Sequence, residues 1–145
     1  MPDKQDSNAN KSGKWLENEI EKILNSYGIP SIKYRSIGPR FGNKVVKQGA
    51  KGFLIKHAPY KNVLGGHSRS EFVLQLANRG AIRIECRRQA VRGSVDEKVL
   101  YLFANAVACV EKEVILVVEC NGMRKEAKQF LVDKAKSVKY KKLEY

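Results

Sequence analysis

Two neighbouring segments in the middle of the chain, residues 69–77 and 81–89, alternate between apolar and polar side chains. The apolar residues take every second position: Phe72, Leu74 and Leu76 in the first segment, Ile82, Ile84 and Cys86 in the second. Side chains of a β-strand point to opposite faces in turn, so this pattern predicts two strands that share one apolar face. The short polar segment between them, Asn78-Arg79-Gly80, predicts a tight turn and therefore an antiparallel hairpin.

The opposite face of this hairpin is polar, and its side chains are Glu71, Arg83, Glu85, Arg87 and Gln89. A three-residue turn at 78–80 would set Glu71 opposite Arg87, with Glu85 diagonal to Glu71 at about 7–8 Å. A two-residue turn would instead place the two glutamates on opposite faces. Two carboxylates at this separation suit a hard cation such as Mg²⁺. A surface ladder of ion pairs is the alternative interpretation.

The remaining apolar periodicities predict helices and strands on both sides of the hairpin. They are a helix at 14–27, a strand at 31–36, a basic hairpin or arm at 44–56, a helix at 95–110 that Ser94 and Glu97 cap, a strand at 114–118, a helix at 124–136, and an edge strand or tail at 138–145. This order mixes a hairpin with a crossover connection. It predicts an α/β sandwich with a central mixed β-sheet flanked by helices, in the order αβββαβα.

A chain of 145 residues can bury one core, so we expect a flexible N-terminal tail over residues 1–12 and a single domain over 13–145. No apolar run is long enough to span a membrane, and the first residues lack the apolar core of a secretory signal. We therefore expect a cytoplasmic protein. The widely spaced cysteines, Cys86, Cys109 and Cys120, are expected to be buried free thiols.

The positive charge is concentrated in one part of the sequence. The net charge is +13, and no acidic residue lies between Glu21 and Glu71, whereas ten basic residues do. Such a surface favours a polyanion, so we expect a DNA-facing basic arm at about 37–66. The expected nucleic-acid contacts are Lys33, Arg35, Arg40, Lys44, Lys47, Lys51, Lys56, Arg69 and Arg88. An ordinary surface hairpin is the alternative, and the few aromatic residues in the arm make RNA a weaker candidate than DNA.

Several short motifs occur together in one order. Glu71 is followed fourteen residues later by Glu85-Cys86-Arg87, then by Gly93-Ser94 at the start of a predicted helix, and Gly13-Lys14-Trp15-Leu16-Glu17 begins the first helix. This arrangement resembles the PD-(D/E)XK nuclease superfamily, in particular its small phage-type members. The resemblance covers residues 13 to about 135 and implies a restriction-endonuclease-like fold.

The resemblance also implies roles for individual residues. Glu71 and Glu85 would bind Mg²⁺, for which Mn²⁺ would substitute, together with the backbone carbonyl of Cys86 and with Glu17, directly or through water. Arg87 stands where the superfamily usually has lysine. Arginine stays protonated, so Arg87 can stabilise negative charge but cannot act as a base.

Two further residues and two departures complete the expected site. Lys98 would supply a relocated amine, unless it is a solvated lysine in the first turn of its helix, and Gln89 would position water or DNA. Glu71 stands where Asp is usual, and Ser70 where Pro is frequent.

Two functions remain open at this point. The first is a DNA-binding, Mg²⁺-dependent nuclease that hydrolyses phosphodiester bonds with a metal-activated water. The second is a DNA-binding module on the same fold whose catalysis is weakened or lost because of Arg87. The expected partner is duplex or branched DNA. A homodimer is compatible with either function, and a phage-encoded protein would work in the host cytoplasm.

Overall fold

The described part of the chain alternates helices and strands as an α/β protein does. The computed structural model describes residues 6–36, 51–88, 95–119, 124–137 and 142–144. The helices are α1 (Asp6–Ser26), α2 (Val95–Ala108) and α3 (Lys125–Ser137), with a 3₁₀ turn at Tyr34–Ser36. The strands are β1 (Ser31–Lys33), β2 (Gly52–Lys56), β3 (Pro59–Lys61), β4 (His67–Arg69), β5 (Phe72–Leu76), β6 (Gly80–Arg88), β7 (Glu113–Glu119) and β8 (Lys142–Glu144).

A mixed β-sheet forms the centre of the molecule. Within the described ranges it has six strands in the order β1-β2-β5-β6-β7-β8, and β3 pairs with β4 in a separate two-stranded sheet. The β5 strand runs antiparallel to both of its neighbours, β2 and β6, whereas the pairs β1–β2, β6–β7 and β7–β8 are parallel. The connection from β6 to β7 passes through α2, as a parallel pair requires. The predicted mixed sheet flanked by helices is confirmed.

Helices cover the sheet on both faces and create two apolar clusters. Helix α1 packs Leu16, Ile20 and Leu24 against a cluster that includes Phe72 and Ile84. On the other face, α2 and α3 contribute the buried residues Leu102, Ala106 and Leu131, which pack with Val114 and Leu116 of β7. Alternate residues of β7 therefore pack into the two clusters on opposite faces of the sheet. This agrees with its continuous apolar run, which predicted a central strand covered on both faces.

The β5–β6 hairpin has a different register from the predicted one. Leu76 pairs with Gly80 and Phe72 pairs with Ile84, so the loop comprises residues 77–79. If this register continues by one residue beyond Phe72 and Ile84, Glu71 lies beside Glu85. The predicted pairing of Glu71 with Arg87 is therefore wrong by two positions. Gly80 adopts a φ of 90°, which glycine tolerates, and this lets it begin β6 instead of completing the loop. A shift of two residues keeps every side chain on its face.

The beginning of the chain also differs from the prediction. Helix α1 begins at Asp6, so residues 6–12 are helical and are not the predicted tail, while residues 1–5 lie outside the described ranges. No proline interrupts the sequence from Asp6 to Ser26, and an aspartate at the N-terminal end favours the helix dipole. Gly13 weakens a helix by about 1 kcal/mol but does not end it.

Residues 52–56 of the predicted basic arm form β2 and belong to the central sheet. The β2 strand lies between β1 and β5, and Leu54 is completely buried. The reason is that Phe53, Leu54 and Ile55 are consecutive apolar residues, so both faces of this strand can be covered. Residues 37–50, which include the rest of the predicted arm, lie outside the described ranges.

The β3–β4 hairpin, residues 59–69, covers part of the sheet next to α2. The backbone N–H of Val63 donates a 2.9 Å hydrogen bond to Oδ1 of Asn105 on α2. The ring of Tyr60 on β3 lies under the guanidinium of Arg83 on β6, at 3.9 Å from the ring centroid. These contacts bury the face of β6 that the sequence pattern assigned to solvent.

Two further predictions concern membranes and cysteines. None of the helices in the described residues is both long and apolar enough to cross a membrane. Cys86 is buried and carries a free thiol. Burial raises the pKa of this thiol, and the nearby charges of Glu71, Glu17 and Glu85 add to the effect, so Cys86 is protonated at neutral pH. Cys120 lies outside the described residues.

Candidate active site

Glu71 and Glu85 come together at the end of the β5–β6 hairpin. Glu71 lies in the bend between β4 and β5, and its carbonyl accepts a 3.2 Å hydrogen bond from the backbone N–H of His57. The preceding residue, Ser70, is buried, and both its N–H and its hydroxyl donate to the carbonyl of Ala58. This bend is therefore held by backbone contacts, and it directs Glu71 to the face of β6 that carries Glu85.

The two carboxyl groups lack donors for one oxygen each. Oε2 of Glu71 and Oε1 of Glu85 are buried, and neither accepts a hydrogen bond from a donor in the described residues. Burial raises the pKa of Glu85 to about 9, and a hydrogen bond to Glu71 and the charge of Glu71 add to this effect. Glu85 therefore carries a proton at neutral pH when no cation is bound.

Arg87 binds the other oxygen of Glu71. Its Nη1 lies 2.6 Å from Glu71 Oε1 and 2.9 Å from the carbonyl oxygen of Cys86. Burial acts to lower the pKa of Arg87, but the charge of Glu71 and this hydrogen bond raise it above the usual arginine value. Arg87 is therefore a permanent cation, and about half of its side chain is exposed. It can bind a substrate phosphate but cannot act as a base, because it is already protonated.

Glu17 on α1 lies within electrostatic reach of the pair. Burial raises its pKa and the charge of Glu71 raises it further, while His57, Lys56 and Arg87 act in the opposite direction. In the part of the chain that the structure describes, no three His, Cys, Asp or Glu side chains form a group that could hold a metal ion.

The donor set fits one hard divalent cation. The oxygens without donors, Oε2 of Glu71 and Oε1 of Glu85, are the kind of ligand that Mg²⁺ prefers. The carbonyl of Cys86 is a third oxygen donor at the same place, and Arg87 contacts it together with the other oxygen of Glu71. A cation between the two glutamates would replace the proton on Glu85 and supply the positive charge that two buried carboxylates need.

Arg83, Glu111 and Tyr60 form a buried network beside Glu85 that the sequence did not predict. Nε and Nη2 of Arg83 each lie 3.1 Å from Glu111 Oε2, and only 3% of the Arg83 side chain is exposed. Arg83 Nη1 is 3.8 Å from Glu85 Oε1, which is too long for a hydrogen bond. Burial and the charge of Glu85 raise the pKa of Tyr60. No local sequence signal connects Arg83 with Glu111, because their contact is tertiary.

The other predicted catalytic residues occupy different positions. Lys98 is exposed in the first turn of α2. Gln89 lies outside the described residues, and for Arg88 the structure describes only its place in β6. These residues remain predictions.

Four of the predicted nucleic-acid contacts surround one cleft. Lys33, Arg35, Lys56 and Arg69 line a cavity that also includes His57. Lys51 precedes β2 and therefore lies at the opposite end of that strand from Lys56. Arg40, Lys44 and Lys47 fall in the range that the structure does not describe.

Comparison with known families identifies the class of protein. A family model described as a PD-(D/E)XK nuclease superfamily domain matches residues 8–144. The chain therefore belongs to the PD-(D/E)XK nuclease superfamily, and the predicted membership is confirmed. Members are generally nucleases, typically use divalent metals, and act on nucleic acids. Searches of curated proteins and of solved structures found no match.

Proposed function

We propose that this protein hydrolyses phosphodiester bonds of DNA in a reaction that requires Mg²⁺, with Mn²⁺ as a substitute. The observation that carries the proposal is the pair of buried carboxylate oxygens, Glu71 Oε2 and Glu85 Oε1, for which the described residues supply no hydrogen-bond donor. They lie beside a permanent cation, Arg87, and near a cleft lined by basic residues. This combination of hard oxygen ligands and phosphate-binding cations suits the hydrolysis of a nucleic acid.

Each side chain of the site has a definite role in this proposal. Glu71, Glu85 and the carbonyl of Cys86 would hold the ion, which supplies an activated water and neutralises charge on the phosphate. Arg87 would bind the negatively charged phosphate through its exposed side. Glu17 would orient water. We also propose that Gln89 positions water or DNA and that Lys98 supplies the amine that Arg87 does not.

A cleavage assay on plasmid and linear DNA, with Mg²⁺, Mn²⁺ or a chelator, tests this proposal. We expect cleavage with either ion and none with the chelator. Glu85→Gln should lower the rate at least about 100-fold. Glu113→Gln is the matched control, because Glu113 pairs with Arg79 at the far end of the sheet. Cleavage that survives Glu85→Gln would show that the active site is elsewhere.

One observation favours a second function, a DNA-binding module with weakened catalysis. A single nitrogen of Arg87 contacts Glu71 Oε1 and the Cys86 carbonyl, so arginine competes with a metal for two of the three expected ligands. In this case the wild-type protein binds DNA without cutting it, and Arg87→Lys restores cleavage because a lysine carries a smaller head group. Wild-type cleavage as fast as that of Arg87→Lys argues against this function.

The proposed substrate also defines the partners and the location. We propose duplex or branched DNA as the substrate and the cytoplasm as the site of action, in the host cell if the protein is phage-encoded. A homodimer would bring the second active site that cutting both strands of a duplex needs. Competition between duplex DNA and RNA at fixed salt distinguishes the two nucleic acids.

A further inference from the structure

A basic cavity lies next to the candidate active site. It has a volume of about 520 Å³ and is lined by residues at and just after the ends of β1, β2 and β4, among them Lys33, Tyr34, Arg35, Lys56, His57 and Arg69. No acidic residue lines this cavity in the described part of the chain. Lys56 is held by a 2.7 Å ion pair with Glu21, whereas Lys33, Arg35 and Arg69 are exposed. Three cations are therefore presented to an anionic ligand.

The cavity adjoins the carboxylates through His57. The backbone N–H of His57 donates to the carbonyl of Glu71. His57 also has a φ of 57°, the left-handed conformation that residues other than glycine rarely adopt. This conformation turns the chain between β2 and β3. A ligand in the cavity would therefore lie beside the groups that act on phosphate.

The size and the walls of the cavity restrict the ligand. A volume of about 520 Å³ lies within the range of small-molecule sites, which a single nucleotide fills and a DNA duplex greatly exceeds. Tyr34, whose side chain is 46% exposed, and Pro59 supply flat apolar surface beside the cations. Stacking on an aromatic ring accepts any base, because every base has a π face.

We propose that this cavity binds one unpaired nucleotide of the substrate, with its phosphate at Lys33, Arg35 and Arg69 and its base against Tyr34. The inference rests on the proposed function and names its substrate class. That class is DNA with unpaired nucleotides beside the cut, such as an overhang or a branch, as opposed to uninterrupted duplex.

Fluorescence anisotropy in a chelator tests the cavity without catalysis. The probes are a labelled blunt duplex and the same duplex with a short 5′ or 3′ overhang. We expect the wild-type protein to bind at least one overhang probe about tenfold more tightly than the blunt probe. Tyr34→Ala and the double variant Lys33→Gln/Arg69→Gln should reduce this preference to about twofold or less. Tyr34→Phe and Lys51→Gln should retain it, since Phe keeps the ring and Lys51 lies at the other end of β2.

The outcomes separate this inference from the proposed function. Equal binding of blunt and overhang probes, or a preference that survives both cavity variants, overturns the inference even if the protein cuts DNA. A preference that the cavity variants abolish supports the inference even if no metal supports cleavage. A preference for overhangs of RNA over those of DNA would overturn the assignment to DNA. Thermal unfolding of each variant shows whether it is folded, and the substituted side chains are exposed.

Discussion

Glu85 is 4% exposed and its carboxyl group lies close to that of Glu71, an arrangement that is unfavourable without a cation. Ionising both groups would leave adjacent negative charges in a buried place. The nearest cation on β6, Arg83, is already bound to Glu111, and Arg87 is bound to the opposite oxygen of Glu71. The protein without metal therefore keeps a proton on this pair, and a bound cation removes the need for it.

The proton that Glu85 holds in the folded protein predicts how the free energy of unfolding depends on pH. The pKa of Glu85 is near 4.5 in the unfolded chain and about 9 in the folded protein, so the folded state holds more protons between these values. In a chelator, the free energy of unfolding should therefore fall as the pH rises from about 5 to 9. Glu85→Gln should flatten this dependence and be more stable than wild type at pH 8 by up to about 4 kcal/mol.

Denaturant unfolding across this pH range measures the effect. Adding Mg²⁺ should raise the stability of the wild-type protein at pH 8 and leave Glu85→Gln unchanged, because the variant lacks one carboxylate ligand. A wild-type stability that is independent of pH between 5 and 9 would show that the pKa of Glu85 is not raised by burial.

Glu111 and Glu113 give a second prediction at this scale. Glu111 is the largely buried ion-pair partner of Arg83. Burial acts to raise the pKa of Glu111, but backbone hydrogen bonding and the charge of Arg83 lower it, and the pKa of Glu111 is lowered overall. Glu111→Gln leaves a buried arginine without its counter-charge and should destabilise the fold by about 2–4 kcal/mol. Glu113→Gln removes a more exposed pair with Arg79 and should cost about 1 kcal/mol or less. If the two variants lose the same stability in thermal unfolding, burial does not determine how much each ion pair contributes to the stability of the fold.

At the scale of elements, the sequence predicted periodicity better than register. The apolar spacing identified α2, α3, β5, β6 and β7 close to their observed bounds. The pairing of β5 with β6 depended on how the backbone at Gly80 enters the strand, and this is a local conformation that the pattern of apolar residues does not encode. Glu71 and Glu85 were nevertheless predicted on one face, because the error was an even number of residues.

The sequence could not predict what covers the polar face of β6. Arg83 and Glu85 alternate with apolar residues, which is typical of a solvent-facing side. The β3–β4 hairpin and α2 bury them through Tyr60, Val63 and Asn105, contacts between residues far apart in the chain. The position of β2 could not be predicted for the same reason. Its residues were predicted to belong to a surface arm, but they lie between β1 and β5 in the sheet.

The close approach of β2 and β5 predicts the effect of a single methyl group. A Cβ atom at Gly52 would lie 2.4 Å from the carbonyl oxygen of Gln75, a backbone atom of the paired strand that cannot move alone. Gly52→Ala should therefore destabilise the protein by about 2 kcal/mol or more. Gly65→Ala is the control: its positive φ is unfavourable for alanine by about 1–2 kcal/mol, but no atom lies within 4 Å of the new Cβ.

Urea unfolding of the two glycine variants compares them. The larger loss should occur at Gly52, with lower cooperativity if β2 separates from the sheet. If Gly52→Ala is as stable as wild type, β2 and β5 do not pack as closely as the structure indicates.

At the scale of the whole molecule, charge and chemistry lie on the same side of the fold. The basic cavity adjoins β1 and β2 at one edge of the sheet, and α3 packs near the other edge, where β8 pairs with β7. The net charge of +13 attracts any polyanion, and in the described part of the chain the cavity at the first edge adjoins Glu71 through His57. Nucleic acid bound there would be oriented towards the carboxylates, whereas binding elsewhere would be unproductive.

This asymmetry predicts the salt dependence of DNA binding. If the protein neutralises about six phosphates, its affinity for DNA should fall about 1000-fold between 50 and 200 mM salt. Lys33→Gln/Arg69→Gln should reduce the slope of log K against log salt by about 2, because two phosphate contacts are lost. Lys125→Gln/Lys136→Gln, on α3, removes the same charge from the other edge and should leave the slope nearly unchanged. Anisotropy titrations in a chelator give these slopes, and an equal reduction in both variants would mean that net charge alone, without the basic edge, determines binding.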